Sequence, residues 1–504
     1  MALNSGGWRE SLPFFESDLF IAVQEAGIFK DSKTFADAIA LSDWQHILSE
    51  YEAQKKQVNF NLEAFVSTHF AIPDMVMNSS DSCYSSTSEY IEHMWSVLTR
   101  TPDTHNTDSL IELSRPYIVP GGRFREIYYW DSYFTALGLT DANRSEMAIN
   151  MLENFLDILD EVGCIPNGNR AYYYTRSQPP VLALMFSMVE AQLTRAQRER
   201  AILGMNKEYE YWMQGQHSVS ASTSASKHVV LMPNGALLNR YYDSEASPRP
   251  ESYREDKEIA QLVGAKSDEF YRNIRAACES GWDFSSRWLK DENALSTIRT
   301  TEIVPVDLNA LLYLLECTLA RVCSEKCSEY EQAAAARKQA INCYLWSDEK
   351  GCYYDYHYIS NDITDVISAA ATVPLFVGMA SKQQAELVAA MVQNKLLKKG
   401  GVVTTVNETS QQWDSPNGWA PLQWFAVKGL LNYGYHQQAN DIMQRFTHTI
   451  ETHFAANGSV LEKYNVCSPE QTAGGGEYEV QLGFGWTNGV YTRFKKLLAN
   501  KRGA

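Results

Sequence analysis

Helical periodicity dominates this chain of 504 residues and limits its fold more than any other feature of the sequence. Between residues 147 and 159, for example, Ile149, Leu152 and Phe155 recur at the spacing of one helix face. The same periodicity predicts helices over 18–23, 34–51, 90–98, 147–159, 181–193, 306–322, 330–346, 384–397, 419–433, 438–454 and 487–499. The best strand patterns are at 229–232, 351–358 and 402–406. We therefore expect an all-α protein.

The predicted helices also alternate in character. One helix is apolar on most sides, as over 181–193, and the next is amphipathic. An apolar helix belongs inside a layer and an amphipathic helix outside it. About a dozen helices in such pairs can close into a double-layered α/α barrel with its long loops at one end. No clear internal repeat supports that closure. Residues 1–60 resemble an N-terminal helical arm that packs on a barrel formed by residues 61–504.

Charge and cysteine content exclude several classes of protein. The net charge of −17 repels phosphate backbones, so we expect no nucleic-acid partner. The nine cysteines are an odd number without a CxxC pair, which favours reduced thiols over a disulfide framework or a zinc site. The ten histidines show no ligand spacing, so we expect no metal and no cofactor.

Targeting signals are also missing from the sequence. No run of about 18 apolar residues is present, so we expect no membrane span. The first residues lack a basic segment followed by an apolar stretch. We therefore expect a cytoplasmic protein, and we expect it to be a monomer.

The chemistry-bearing residues concentrate in loops that contain Gly and Pro. These loops are at 120–131, 166–180, 248–252, 411–421 and 462–488. Each combines aromatic side chains with Asp, Glu, Arg, Asn or Gln, the residue types that stack on sugar rings and hydrogen-bond to vicinal hydroxyls. Fingerprints of nucleotide-binding proteins, zinc proteases and serine hydrolases are absent from the sequence. A neutral, hydroxyl-rich ligand fits these loops best.

One carboxylate stands out among the aromatic residues. Asp283 lies between Trp282 and Phe284 in the segment 279–288. Loss of water raises the pKa of a carboxyl group, and a carboxyl group that keeps its proton near neutral pH can act as a general acid. An aromatic cluster with an Asp that caps a helix explains these ten residues equally well.

Several segments resemble a known family. PGGRFREIYYWDSYF (120–134) and QWDSPNGWAP (412–421) resemble the two signature segments of trehalases of glycoside hydrolase family 37. The segments 18–38, 166–180, 248–252, 279–288, 462–465 and 474–490 are also similar to that family, in the same order. The resemblance covers nearly the whole chain. It implies an (α/α)6 barrel that hydrolyses α,α-trehalose with inversion to two glucose molecules, with water as the second substrate.

The resemblance also assigns roles to residues. It implies that Asp283 is the general acid and Glu462 the general base. It places substrate-binding arginines at Arg123, Arg176 and Arg249, and other sugar-contacting positions at Trp130, Asp131, Asn167, Ser177, Gln178, Pro250, Glu251 and Gly281. Glu477, which follows three glycines, competes with Glu462 for the role of base. Otherwise it belongs to a lid or anchors its loop through backbone amides.

The mechanism that the resemblance implies sets requirements for the distance between acid and base and for the role of the arginines. Inverting hydrolysis places a water molecule between an acid and a base about 6.5–9.5 Å apart. Because trehalose is uncharged, we expect the arginines to bind hydroxyl groups, to keep neighbouring carboxylates ionised, and to set the pKa gap between acid and base. Two other functions remain open, a sugar-binding protein with an inactive site and an inverting disaccharide phosphorylase. Glucose release from trehalose would exclude the first, and phosphate-dependent rates would reveal the second.

Overall fold

The computed structural model describes residues 7–73, 84–102 and 108–500. Within these ranges the chain is mainly helical. The helices are α1 Gly7–Glu10, α2 Leu12–Phe15, α3 Asp18–Ala26, α4 Ser32–Ala36, α5 Trp44–Gln54, α6 Leu62–His69, α7 Thr87–Leu98, α8 Tyr129–Asp141, α9 Ser145–Val162, α10 Leu182–Val189, α11 Arg195–Trp212, α12 Tyr253–Val263, α13 Ser267–Glu279, α14 Val306–Val322, α15 Cys327–Tyr344, α16 Val373–Phe376, α17 Lys382–Met391, α18 Ala420–Asn432, α19 His436–Asn457 and α20 Gly485–Asn500.

The strands are short, and each pairs antiparallel with a neighbour. They are β1 Ile39–Ala40, β2 Phe70–Ala71, β3 Thr99–Arg100, β4 Tyr117–Ile118, β5 Ala225–Ser226, β6 Val229–Leu231, β7 Leu237–Asn239, β8 Ile303–Val304, β9 Trp346–Ser347, β10 Cys352–Tyr353, β11 Tyr356–His357, β12 Asp362–Ile363, β13 Leu397–Lys398, β14 Gly401–Val402, β15 Asn417–Trp419 and β16 Lys463–Asn465. Two of the sheets have three strands, β5–β6–β7 and β8–β11–β12, and the others are pairs.

The alternation expected from the sequence is present in the burial of the helices. Helices α8, α14 and α18 are buried along most of their length. Each is followed by a helix with an exposed face, namely α9, α15 and α19. The apolar helices therefore lie inside and the amphipathic helices outside, as their patterns predict.

The last helix packs against the first of the buried helices. An added Cβ at Gly489 of α20 would lie 2.1 Å from the carbonyl oxygen of Phe134 in α8. One at Gly138 of α8 would lie 2.6 Å from the Cα of Gly489. Two glycines therefore allow the two backbones to touch, which joins the C-terminal part of the chain to residues near its start.

Several predictions of secondary structure were wrong in detail. The helix predicted over 34–51 is two helices, α4 and α5, separated by β1. The break is encoded by Asp43, whose Oδ1 caps α5 by accepting a hydrogen bond from the backbone N–H of His46 at 3.0 Å. The strand predicted over 351–358 is two short strands, β10 and β11, and only the first residue of the one over 402–406 lies in a strand.

Helices α8, α11, α12 and α13 were not predicted. The serine-rich stretch 79–88 has the residue types that predict a cap for the following helix, and it is described from residue 84 onward. Ser86 confirms that prediction, since its hydroxyl accepts a hydrogen bond from the N–H of Glu89 at 3.2 Å.

The N-terminal residues pack on the rest of the chain through an aromatic cluster and a buried charge network. The ring of Phe15 packs against that of Tyr172 with centroids 5.4 Å apart, and the ring of Phe20 packs against that of Tyr253 at 5.8 Å. Beside them, the ammonium of Lys33 lies 2.7 Å from a carboxylate oxygen of Glu126. The division of the chain at residue 60 stays a prediction, and β1 pairs with β2 across it. No helix of the described ranges is long and apolar enough to cross a membrane.

Candidate active site

A cleft of about 870 Å³ lies among the loops that the sequence singled out. Eleven of the predicted residues line it: Arg123, Trp130, Asp131, Asn167, Arg176, Gln178, Arg249, Glu251, Gly281, Asp283 and Glu477. Residues separated by more than 350 positions in the sequence therefore share one cleft.

Three predicted residues do not form part of its wall. The hydroxyl of Ser177 donates to the carbonyl oxygen of Ile165 at 2.5 Å, inside the protein. Pro250 begins a short 3-10 helix and faces a neighbouring cavity. Glu462 is fully buried and is not among the residues that line the cleft.

Asp283 is held in the wall by a tight turn after α13. Gly281 adopts a φ of +72°, and an added Cβ there would lie 2.7 Å from the ring of Trp130. Only glycine lets the chain pass so close to this ring. Burial raises the pKa of Asp283 from 3.8 to about 7. A large fraction of this carboxyl group therefore keeps its proton at neutral pH.

The arginines near Asp283 favour its ionised form. The guanidinium groups of Arg249 and Arg176 both lower the pKa of Asp283, against the larger effect of burial. The carboxylate of Glu477 acts in the other direction and raises it. Desolvation, and not the arginines, is the reason that Asp283 holds a proton.

Some tryptophans of this region line the cleft, and another packs against one of them. Trp130 and Trp413 line the cleft. Trp282 does not: it is buried and stacks on Trp413, with ring centroids 5.5 Å apart. The guanidinium of Arg287 also lies over the ring of Trp282, 4.6 Å from its centroid. Trp282 thus supports the wall from behind.

Glu462 directly precedes β16, which pairs with β15. Burial raises its pKa, and the ammonium of Lys463, 3.2 Å from Oε1, opposes that effect. Neither carboxylate oxygen accepts a well-aligned hydrogen bond from any residue that the structure describes. A buried carboxylate without hydrogen-bond donors is costly, so it is available to a ligand or to water.

Asp131 connects the two carboxylates electrostatically. It lies in the first turn of α8, and its pKa is well above the ordinary value, first because it is buried. The negative charges of Asp283 and Glu462 raise the pKa of Asp131 further. Both predicted catalytic carboxylates are thus near enough to Asp131 to affect its protonation.

The three predicted arginines are each paired with acids. Arg249 donates to Asp256 through Nε and Nη2, at 2.6–3.2 Å, and to Glu477 at 2.8 Å. Arg176 donates to Glu251 at 2.5 Å. Nη2 of Arg123 lies 3.8 Å from Oδ1 of Asp31.

Arg176 keeps one donor group without an aligned acceptor. Its Nη1 lies 3.7 Å from Asp243 and makes no hydrogen bond to the described residues. This buried group can donate to a ligand hydroxyl in the cleft.

Glu477 is anchored by side chains and not by the backbone amides that we expected. Its two oxygens accept from Nη2 of Arg249 at 2.8 Å and from the hydroxyl of Ser252 at 3.3 Å. The glycines before it turn with positive φ, +79° at Gly475 and +87° at Gly476. Glu477 therefore fastens the glycine-rich segment to the wall of the cleft.

Comparison with known proteins identifies the family. A family model described as Trehalase matches residues 27–499. The chain belongs to the trehalase family. It is a glycoside hydrolase, as the signature segments predicted. The neutral trehalase Nth1 from Saccharomyces cerevisiae is similar in structure, with 30% identity and a TM-score of 0.62 over 76% of this chain and 73% of that one. A GH63 mannosylglycerate hydrolase from Thermus thermophilus shares the fold, with 17% identity and a TM-score of 0.51 over 75% and 96% of the two chains.

Sequence reasoning missed several residues in the wall of this trehalase-family cleft. Asp31 and Lys33 reach it from the N-terminal segment, and Tyr478, Phe484 and Trp486 reach it from the C-terminal loops. Asp31 carried a usable signal, because it caps α4: its Oδ1 accepts from the N–H of Thr34 at 2.8 Å. The aromatic residues carried none, since an aromatic side chain is more often part of a core.

Proposed function

We propose that this enzyme hydrolyses α,α-trehalose to two glucose molecules with inversion, with Asp283 as general acid and Glu462 as general base. The observation that carries the proposal is the contrast between these carboxyl groups. Asp283 lines the cleft with a pKa of about 7, whereas Glu462 is buried beside the ammonium of Lys463, which opposes the upward effect of burial on the pKa of Glu462. One group is therefore suited to give a proton and the other to accept one.

In the proposed reaction, Asp283 protonates the oxygen that bridges the two glucose units as the glycosidic bond breaks. Glu462 takes a proton from a water molecule, whose oxygen bonds to the anomeric carbon from the opposite face. The products are one β-glucose, formed by attack, and one α-glucose, released as the leaving group. Glu462 returns its proton to solvent and Asp283 takes one up, so both groups are restored.

The arginines serve as donors to hydroxyl groups in this proposal. The Nη1 of Arg176 has no aligned hydrogen-bond acceptor among the described residues, and Arg123 and Arg249 are held in place by the acids that they contact. Trp130 and Trp413 provide apolar faces for the sugar rings. The pairing of each arginine with an acid also leaves little net positive charge for phosphate, which favours hydrolysis over phosphorolysis.

We also propose that the helices close into an (α/α)6 barrel, with residues 1–60 as an arm on a catalytic domain of residues 61–504. The contact between α8 and α20 supports closure, because it joins an early helix to the last one. The fold shared with the GH63 hydrolase supports it as well. A monomeric, cytoplasmic enzyme remains a prediction from the sequence.

Glucose release from trehalose, maltose and sucrose tests the proposal. We expect release from trehalose alone, without dependence on phosphate, and a loss of at least about 1,000-fold in kcat for Asp283→Asn and for Glu462→Gln. Proton NMR during the first minutes should show α- and β-glucose in equal amounts. Two α-glucose molecules would refute inversion, and equal activity on maltose would refute the substrate.

The matched control for the base is Glu477→Gln. If Glu462→Gln works at the wild-type rate while Glu477→Gln is inactive at every pH, Glu477 is the base.

A further inference from the structure

Two buried side chains outside the wall of the cleft connect the proposed acid to the proposed base. The amide of Gln412 donates from Nε2 to the backbone carbonyl oxygen of Asp283 at 2.6 Å. Its Oε1 accepts from the Nζ of Lys463 at 2.6 Å. The same Nζ lies 3.2 Å from Oε1 of Glu462. A continuous polar chain thus runs from the peptide of Asp283 to the carboxylate of Glu462.

The surroundings hold Gln412 in one position. Its backbone carbonyl accepts from the indole N–H of Trp419 at 3.0 Å and from the side-chain amide of Asn417 at 3.1 Å. On the other side, an added Cβ at Gly476 would lie 2.6 Å from Oε1 of Gln412. The side-chain amide has only one orientation that satisfies both neighbours, with its oxygen toward the lysine and its nitrogen toward the carbonyl group.

Lys463 is unusual because its side chain is fully buried. Burial of an ammonium is costly unless it is paired, and Glu462 is the carboxylate that it contacts. The ring faces of Trp419 and Tyr478 lie 5.0 and 5.3 Å from its Nζ and add cation–π stabilisation. The pairing of β16 with β15 places Lys463 opposite Trp419 and fixes its backbone.

We propose that Gln412 and Lys463 are positioning residues, which together set the distance between the acid and the base and supply the positive charge that keeps Glu462 ready to accept a proton. The proposal rests on the function proposed above and deepens it. Gln412 acts on geometry, because it carries no charge. Lys463 acts on both geometry and charge. Neither residue lines the cleft, so neither is expected to bind the sugar directly.

Within the part of the chain that the structure describes, four ionisable groups interact electrostatically with Glu462. The charges of Lys463 and Arg123 favour its ionised form. Asp131 and Tyr478 feel the charge of Glu462 in return, since it raises the pKa of each. Removal of the lysine charge therefore raises the pKa of Glu462. The acidic limb of the pH profile, which requires ionised Glu462, must then move to higher pH.

The first test is the pH profile of kcat/KM for Lys463→Met. We expect its acidic limb to move up by about one pH unit or more, with the alkaline limb unchanged, because an opposite charge at this distance shifts a pKa by about 1–3 units. Arg337→Met is the control, since it also removes a buried cation, whose partner is Glu316, and Arg337 does not line the cleft. Its acidic limb should stay in place. A shift below about 0.3 units in folded Lys463→Met would overturn the proposal.

The second test is Gln412→Met. This substitution removes both hydrogen bonds of the Gln412 side-chain amide, and it keeps the side-chain volume and the charge of Lys463. We expect kcat on trehalose to fall about 10- to 100-fold, with KM changed less than about threefold and the acidic limb in place, because misplaced catalytic groups lower the rate without weakening binding. A kcat within about twofold of the wild type would overturn the spacing role. This variant decides the matter if Lys463→Met does not fold, which circular dichroism reveals.

The same variants distinguish a failure of the positioning roles from a failure of the proposed acid and base. If Asp283→Asn and Glu462→Gln retain wild-type rates, the proposed acid and base are wrong and the connection between them is irrelevant to catalysis. If both are inactive but Gln412→Met is active and the acidic limb of Lys463→Met does not move, the catalytic pair stands and the positioning roles are refuted.

Discussion

Glu477→Gln is the substitution that most directly tests why Asp283 keeps its proton. The carboxylate of Glu477 raises the pKa of Asp283, which burial and this charge bring to about 7. Glutamine has the same shape and can still accept from Nη2 of Arg249 through Oε1. The variant therefore removes a negative charge and keeps the anchor. The pKa of Asp283 must fall, and the alkaline limb of kcat/KM must move to lower pH.

The size of the effect follows from the protonated fraction of Asp283. With a pKa of about 7, about 9% of Asp283 is protonated at pH 8 and about 99% at pH 5. A downward shift of about one unit, typical for loss of a nearby charge, leaves about 1% protonated at pH 8 and about 91% at pH 5. The activity of the variant relative to the wild type should thus fall about eightfold between pH 5 and pH 8.

The assay is kcat/KM for trehalose, by coupled glucose detection, at half-unit intervals from pH 4.5 to about 9, for both proteins. The activity ratio, and not the absolute rate, is the measured quantity, because a small structural change lowers the rate equally at all pH values. A ratio independent of pH, or an alkaline limb that moves upward, would refute the electrostatic account of Asp283.

Three further predictions concern stability and the N-terminal segment. Asp31→Ala should lower the free energy of unfolding by about 1 kcal/mol through loss of the helix cap, whereas Asp31→Asn keeps the cap; both should raise KM for trehalose, because Arg123 loses the acid beside it. Lys33→Met should cost about 1.5–3 kcal/mol in urea unfolding, since two buried carboxylates lose a charged hydrogen-bond donor but keep Arg170, and a cost below about 0.5 would contradict this. Gly489→Ala should lower the melting temperature, because its Cβ would lie 2.1 Å from the carbonyl oxygen of Phe134 and overpack the contact by about 1–3 kcal/mol.

The sequence by itself determined the mainly helical character of the protein, because apolar periodicity depends only on residues within a few turns of one another. It also determined the family, through short segments such as 412–421 whose residue order is itself the signal. Those segments also carried the assignment of the site residues, and eleven of these residues line one cleft. The prediction of one helix over 34–51 was wrong. Asp43, which caps α5, was a signal for a helix start there, but the apolar periodicity of the segment outweighed it in the prediction.

Only the tertiary structure decided how the carboxylates behave. The pKa of Asp283 depends on how much water the fold excludes, and no flanking residue specifies that. The arginines were expected to set the pKa gap, yet those near Asp283 oppose its protonation. The contacts of Gln412 with Asp283 and Lys463 join residues 129 and 51 positions apart. Such contacts arise when distant segments pack together, so they cannot be predicted from the local sequence.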